Sequence, residues 1–171
     1  MNRDELEAEL SRMHPDAFGW ALRCSSGRRE EAEDALHAAY FRIIDGKARF
    51  DGRSSFRTWL FGVIRRTALE ERRKGWLRRV RLERWFERSS GEGGDRTDPG
   101  DLVANETAAR LKNALGELSR RQQEILHLVF YQELSVQEAA EVLGMPVGTA
   151  RTHYERGKIR LRAMLAGEGL A

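Results

Sequence analysis

The chain has 171 residues, 40% hydrophobic and 33% charged, a balance that fits a soluble globular protein and excludes a disordered or fibrous one. At roughly 100–200 residues per domain, the length allows one ordinary domain or two small ones and excludes a large multidomain enzyme. Apolar runs stop far short of the ~20 residues that cross a bilayer; the acidic start MNRDELEAEL is no signal peptide, and the lone Cys24 supports neither an internal disulfide nor a zinc finger, so a cytoplasmic location without membrane insertion is expected.

The formal net charge of +3 hides a segregation along the chain. Residues 1–40 carry five Lys/Arg against nine Asp/Glu, whereas 65–88 carry ten against four; 89–109 carry one against five, and 147–171 five against two. Two basic blocks separated by an acidic spacer suit two contacts with a polyanion, because Lys and Arg neutralise phosphates and release counterions. Solvated helix faces give similar charge runs, so charge alone does not decide the matter.

Apolar residues recur at helical spacing and no sustained alternation marks a strand, which predicts an all-α protein. Pro15 and Asp16 open a short first helix that ends near Ser25–Gly27. Between Arg29 and Ile44, residues Ala32, Leu36, Ala39, Tyr40 and Ile43 share one face and predict a second helix, with Glu31, Asp34, His37, Ala38 and Arg42 around the rest. Asp45 to Ser54 reads as a loop, and Ser55 caps a helix with Phe56, Leu60, Val63 and Thr67 inward and Arg57, Arg65 and Arg72 on the opposite, basic face. A further amphipathic piece, WLRRVRLERWF, leads to SSGEGGDRTDPGD, which holds no apolar residue and reads as a flexible linker between two small domains. The expected division is 1–88, an acidic linker over 89–103, and 104–171.

Beyond the linker, an amphipathic helix is predicted from about Leu102 to Leu118. Ser119–Gln122 is a capping box that starts a helix carrying Ile125, Leu126, Val129 and Phe130, and Ser135–Glu138 is a second box. The helix it opens ends at Gly144, suited to a tight turn, and Pro146 sits where the next helix begins. Two helices around a short turn are the parts of a helix-turn-helix, whose second helix can enter the DNA major groove. At about 100° per residue, Ala150, Tyr154, Gly157, Leu161, Met164 and Leu165 face a core, whereas Thr152, Glu155, Arg156 and Ile159 face outward with Arg151 on the flank. Arg and Thr are side chains that read base edges and phosphates; Gly148 and Thr149 in the first turn let the backbone approach a phosphate at the positive end of the helix dipole.

Residues 117–165, ELSRRQQEILHLVFYQELSVQEAAEVLGMPVGTARTHYERGKIRLRAML, are similar throughout to region four of bacterial sigma factors of the extracytoplasmic-function (ECF) group. Residues 32–73, AEDALHAAYFRIIDGKARFDGRSSFRTWLFGVIRRTALEERR, resemble region two of the same group. The resemblance implies a transcription initiation factor, not itself an enzyme and without a cofactor, whose partners are core RNA polymerase, promoter DNA and, in many members, an anti-sigma factor. It implies polymerase docking through Asp34, His37, Ala38, Phe41 and Arg42, and capture of an extruded minus-ten base by the loop holding Lys47, Arg49, Phe50 and Arg53. Arg57, Trp59, Arg65, Arg66 and Arg72 would hold the melted strand, and Gly148, Thr149, Arg151, Thr152, Glu155 and Arg156 would read the upstream, minus-thirty-five element. Among Phe50, Phe56, Trp59 and Phe61, Phe50 is the stacking candidate and Phe56 is expected in the core. The chain departs from the group at His37-Ala38, where Gln-Glu is common, and at Arg66, where Asn is common.

Two other classes fit parts of the pattern. A helix-turn-helix regulator acting without polymerase shares the second half. A nuclease using Glu70, Glu71 or one of His14, His37, His127 and His153 is disfavoured, because these residues are scattered and form no nucleophile–base motif.

Overall fold

A computed structural model describes residues 2–86 and 106–167, and all regular structure among them is helical. The helices are α1 (Arg3–Cys24), α2 (Arg29–Ile44), α3 (Phe56–Phe86), α4 (Glu106–Gly116), α5 (Arg120–Leu126), α6 (Val136–Leu143) and α7 (Val147–Leu165), with a π turn over His127–Tyr131. The segment expected as a linker, 89–103, lies outside the described residues, as does the expected start of α4 at Leu102. The described residues form two compact units. One holds the chain up to Phe50 and α3 from Val63 onward; the other holds Asp51–Gly62 together with the helices from α4 onward.

In the first unit α1 is much longer than expected. It starts at Arg3 under a capping box in which Asn2 accepts from the Glu5 N–H and Glu5 accepts from the Asn2 N–H, so two orphan donors are satisfied. The helix then runs straight through Pro15. An interior proline costs about 3 kcal/mol, but Leu10, Met13, Ala17, Trp20, Ala21 and Cys24 form one buried stripe across it. Burying each large apolar side chain contributes about 1.5–3 kcal/mol, so the stripe outweighs the break. α2 has the predicted bounds and buries Ala32, Ala35, Leu36, Ala39 and Ile43. Alanines on the facing stripes of α1 and α2 let the two backbones approach closely.

α3 begins where Ser55 Oγ accepts from the Thr58 N–H at 3.1 Å. It continues without a break through WLRRVRLERWF, which is therefore no separate piece. Leu60, Phe61, Val63, Ile64 and Thr67 are buried. The Thr67 hydroxyl is satisfied by donating to the Val63 carbonyl at 2.9 Å, which is how a hydroxyl is accommodated inside a helix.

In the second unit both predicted capping boxes, at Ser119 and Ser135, are present. The segment after α5 differs from expectation. A wider π turn shifts the register by a residue, so Leu128 is buried, Val129 is half-buried and Phe130 is 59% exposed. Glu124, 1% exposed, is flanked by Arg120 at 3.3 Å and Arg121 at 3.1 Å. Segment 51–62 joins this unit through Arg57, whose Nη2 donates to Gln132 Oε1 at 2.9 Å. The Thr58 hydroxyl likewise reaches the Glu138 carboxylate.

Candidate nucleic-acid interface

The turn between α6 and α7 is made by Gly144 at φ 62°, a left-handed conformation that glycine adopts without steric cost. Pro146 stands at the N-cap of α7. Ala150 and Gly157 are buried, and Tyr154, Leu161 and Met164 are half-buried, which gives the expected inner face; only Leu165, the last residue of the helix, is exposed. Gly157 has a steric reason. A Cβ there would lie 3.2 Å from Leu126 Cδ1 and 3.3 Å from Gln122 Cβ, so glycine lets α7 pack against α5.

Gly148, Thr149, Arg151, Thr152, Glu155, Arg156 and Ile159 are all exposed. The Thr152 hydroxyl donates to the Gly148 carbonyl at 3.0 Å, which orients it along the first turn. Glu155 pairs with Lys158 at 3.2 Å, and Lys158 also lies 4.4 Å from the Tyr154 ring centroid. The outward face of α7 thus presents Arg151 and Arg156 beside one carboxylate.

In the first unit and the loop after α2, Asp34, His37 and Phe41 are exposed, Phe41 by 64%, and Ala38 is half-buried. Arg42 is less available than expected, because it pairs with Glu70 and approaches Thr67 Oγ1 at 3.5 Å. The bond from Arg42 holds the Glu70 carboxyl below its ordinary range, although partial burial opposes this. Glu70 is thereby an ion-pair partner of α2.

In the loop, Lys47 pairs with Asp45 at 2.7 Å and lies 5.6 Å from the Phe41 ring centroid; Arg53 pairs with Asp51 at 3.2 Å, and Arg49 Nε donates to the Gly46 carbonyl at 3.2 Å. Such exposed pairs are worth about 0–1 kcal/mol and yield readily to a phosphate. Phe50 is half-buried. Phe56, expected in the core, is only half-buried: it is the first residue of α3, and its ring lies 5.3 Å from that of Trp59, itself half-buried. Phe61 is fully buried and so unavailable for stacking.

The basic face of α3 is narrower than predicted. Arg66 is exposed, Arg57 and Arg72 are half-buried, and Arg65 is only 7% exposed. Its outward assignment fails because it lies one residue from Ile64 and two from Val63 and Thr67, inside the widest buried part of the helix. Sequence reasoning also missed Gln132 as the partner of Arg57. No local signal marks that pair, since it joins residues 75 positions apart.

Among the described residues no cluster of His, Cys, Asp and Glu could hold a metal ion, and no helix is long and apolar enough to cross a membrane. The histidines are dispersed: His14 contacts Tyr40 at 3.2 Å and His127 stacks on Tyr131 at 5.3 Å, while His37 lies on α2 and His153 on α7.

Two helical units, one ending in a helix-turn-helix with an exposed cationic reading face, define a DNA-binding transcription factor. The Sigma-70 region 2 family matches residues 10–78, and the Sigma-70, region 4 family matches 108–161. The ECF RNA polymerase sigma factor SigX of Bacillus subtilis is 30% identical, over 78% of this chain and 70% of that protein. RNA polymerase sigma factor YlaC of the same organism is 28% identical over 94% of this chain and 92% of its own length. The fold matches that of the sigma factor RpoE of Bartonella quintana, solved in complex with the anti-sigma factor NepR, with a TM-score of 0.64 at 22% identity, covering 95% of this chain and 97% of that one. CnrH, solved with the cytosolic domain of CnrY, gives a TM-score of 0.63 at 23% identity over 98% and 92% of the two chains. The chain belongs to the sigma-70 family, in its ECF group of RNA polymerase sigma factors.

Proposed function

We propose that this sigma factor binds core RNA polymerase through residues 1–88, with Asp34, His37, Ala38 and Phe41 as the docking face, and reads the upstream promoter element through residues 104–171. Residues 89–103 join the two parts. Lys47, Arg49, Phe50 and Arg53 in the loop, with Arg57, Trp59, Arg66 and Arg72 on α3, hold the melted minus-ten strand. Arg65 acts there only indirectly, by fixing the helix that carries the others. The protein is a cytoplasmic specificity factor and does no chemistry of its own. An anti-sigma factor is a further partner, by analogy with RpoE and its NepR complex.

The observation that carries this reading is the arrangement of α7. Arg151, Thr152, Glu155 and Arg156 share an exposed face while Ala150 and Gly157 are buried behind them. Such a helix can lay its N-terminal half in the major groove, with arginine bidentate to guanine and glutamate accepting from cytosine. The test is footprinting of a promoter with polymerase and the chain together. Protection at both elements is expected, and loss of upstream protection alone is expected for the Arg151→Ala, Arg156→Ala double variant. Unchanged upstream protection in that variant would remove α7 from the reading site.

A further inference from the structure

A cleft of about 390 Å³ lies in the first unit between the start of α2 and the middle of α3. That volume falls within the roughly 300–1,000 Å³ of small-ligand pockets. Arg28 and Glu31 line one wall, and Arg72, Trp76, Arg78 and Arg79 line the other. Residues 72, 76 and 79 recur at helical spacing, so they stand in a row along one face of α3.

Two atoms in this cleft are buried without a hydrogen-bond partner among the described residues: Arg72 Nη1 and Glu31 Oε2. A buried polar group left unpaired is costly, and more so when charged. The two atoms are not bonded to each other, so a ligand that satisfies both must offer an acceptor to Arg72 and a donor to Glu31. Trp76 is 61% exposed and gives the cleft a free aromatic face. Arg78 and Arg79 add two exposed cations beside Arg72.

The carboxylates in the cleft narrow the choice. Glu31 Oε1 is paired with Arg28 at 2.8 Å and Glu71 with Lys74 at 2.9 Å, but Glu31 Oε2 and exposed Asp34 still oppose a bare anion. Inorganic phosphate meets the arginines and is repelled by these groups. A phosphate joined to a planar base with an N–H donor meets every requirement. Its base would stack on Trp76, its N–H would donate to Glu31 Oε2, and its phosphate oxygens would accept from Arg72, Arg78 and Arg79.

We propose that this cleft is a binding site for a nucleoside phosphate. A nucleotide within a single strand offers the same chemistry, but that contact is already part of the proposed function through Arg72; the further site is one for the free nucleotide.

Isothermal titration of the purified full chain tests the site with four probes: ADP, GDP, a 5′-phosphorylated five-residue single-stranded DNA, and inorganic phosphate. ADP or GDP is expected to bind more tightly than phosphate. Trp76→Leu, at an exposed position, is expected to weaken that binding about tenfold through lost stacking. Glu31→Ala is expected to weaken it while leaving phosphate unaffected or slightly improved. Binding of ADP or GDP assigns the site to a free nucleotide, and binding of the oligonucleotide alone overturns it in favour of the strand contact already proposed for Arg72. The proposal is overturned if neither ADP nor GDP binds, if phosphate binds as well as they do, or if Trp76→Leu leaves affinity unchanged. Arg72 is shared with the proposed melted-strand contact, but the nucleotide arms need neither polymerase nor a promoter, so their failure leaves the strand contact and the α7 reading standing.

Discussion

Arg42 on α2 and Glu70 on α3 form an ion pair across 28 residues of sequence, and Thr67 stands 3.5 Å from the same guanidinium. The pair fixes one helix against the next and takes Arg42 partly out of the surface expected to meet polymerase. Glu70 is half exposed, so Glu70→Ala is expected to cost no more than about 1 kcal/mol. Because the Glu70 carboxyl is held below its ordinary range by Arg42, the pair's contribution is full above the ordinary glutamate pKa and is lost as pH falls through the lowered folded value. Thermal melts of wild type and variant should therefore converge in acid. A constant gap at every pH would contradict this assignment.

At α6 the sign is the same but the cause is local. Glu138 is held below its ordinary range first by the Ser135 backbone N–H and then by the Ser135 hydroxyl, against desolvation, with Thr58 adding a smaller contribution. Ser135→Ala removes an N-cap and is expected to lower stability by about 1 kcal/mol. Denaturant unfolding near neutral pH, followed by circular dichroism, checks the loss, which should shrink below the ordinary glutamate pKa.

Gly157→Val places branched methyl groups where even a Cβ would already lie 3.2 Å from Leu126 Cδ1. Overpacking of this kind costs about 1–3 kcal/mol. The melting temperature should fall and binding of upstream-element DNA should weaken with it, since α7 is displaced as a whole. An unchanged melting temperature would show that α5 moves aside without cost.

Arg65 and Arg66 are neighbours with opposite exposures, 7% exposed against exposed, and their alanine variants should separate two effects. Arg66→Ala is expected to leave stability within about 0.5 kcal/mol and to reduce the salt dependence of promoter binding by about one unit of slope. Arg65→Ala is expected to lower stability and to leave that slope alone. Binding isotherms at several salt concentrations, read beside thermal melts, distinguish them.

Much of this was legible in the sequence because it is local. The bounds of α2, both serine capping boxes, the Gly144 turn and the exposed face of α7 follow from spacing and from residue types that favour caps and turns. What sequence did not reveal is non-local or energetic. Pro15 reads as a helix start, and only the buried stripe from Leu10 to Cys24 carries α1 through it. The π turn after Leu126 exposes Phe130, expected on the inner face, and buries Leu128 instead, because hydrophobic periodicity assumes an unbroken helical register. Arg65 is misplaced for a related reason: α3 is buried over a wider arc near Ile64 than one inward stripe implies.

The most direct test of the central claim is run-off transcription on genomic fragments with purified core RNA polymerase, with and without this chain. Discrete transcripts that need the chain, and that disappear with the Arg151→Ala, Arg156→Ala double variant, are expected. Identical products with and without the chain would contradict its role as a promoter-specificity factor.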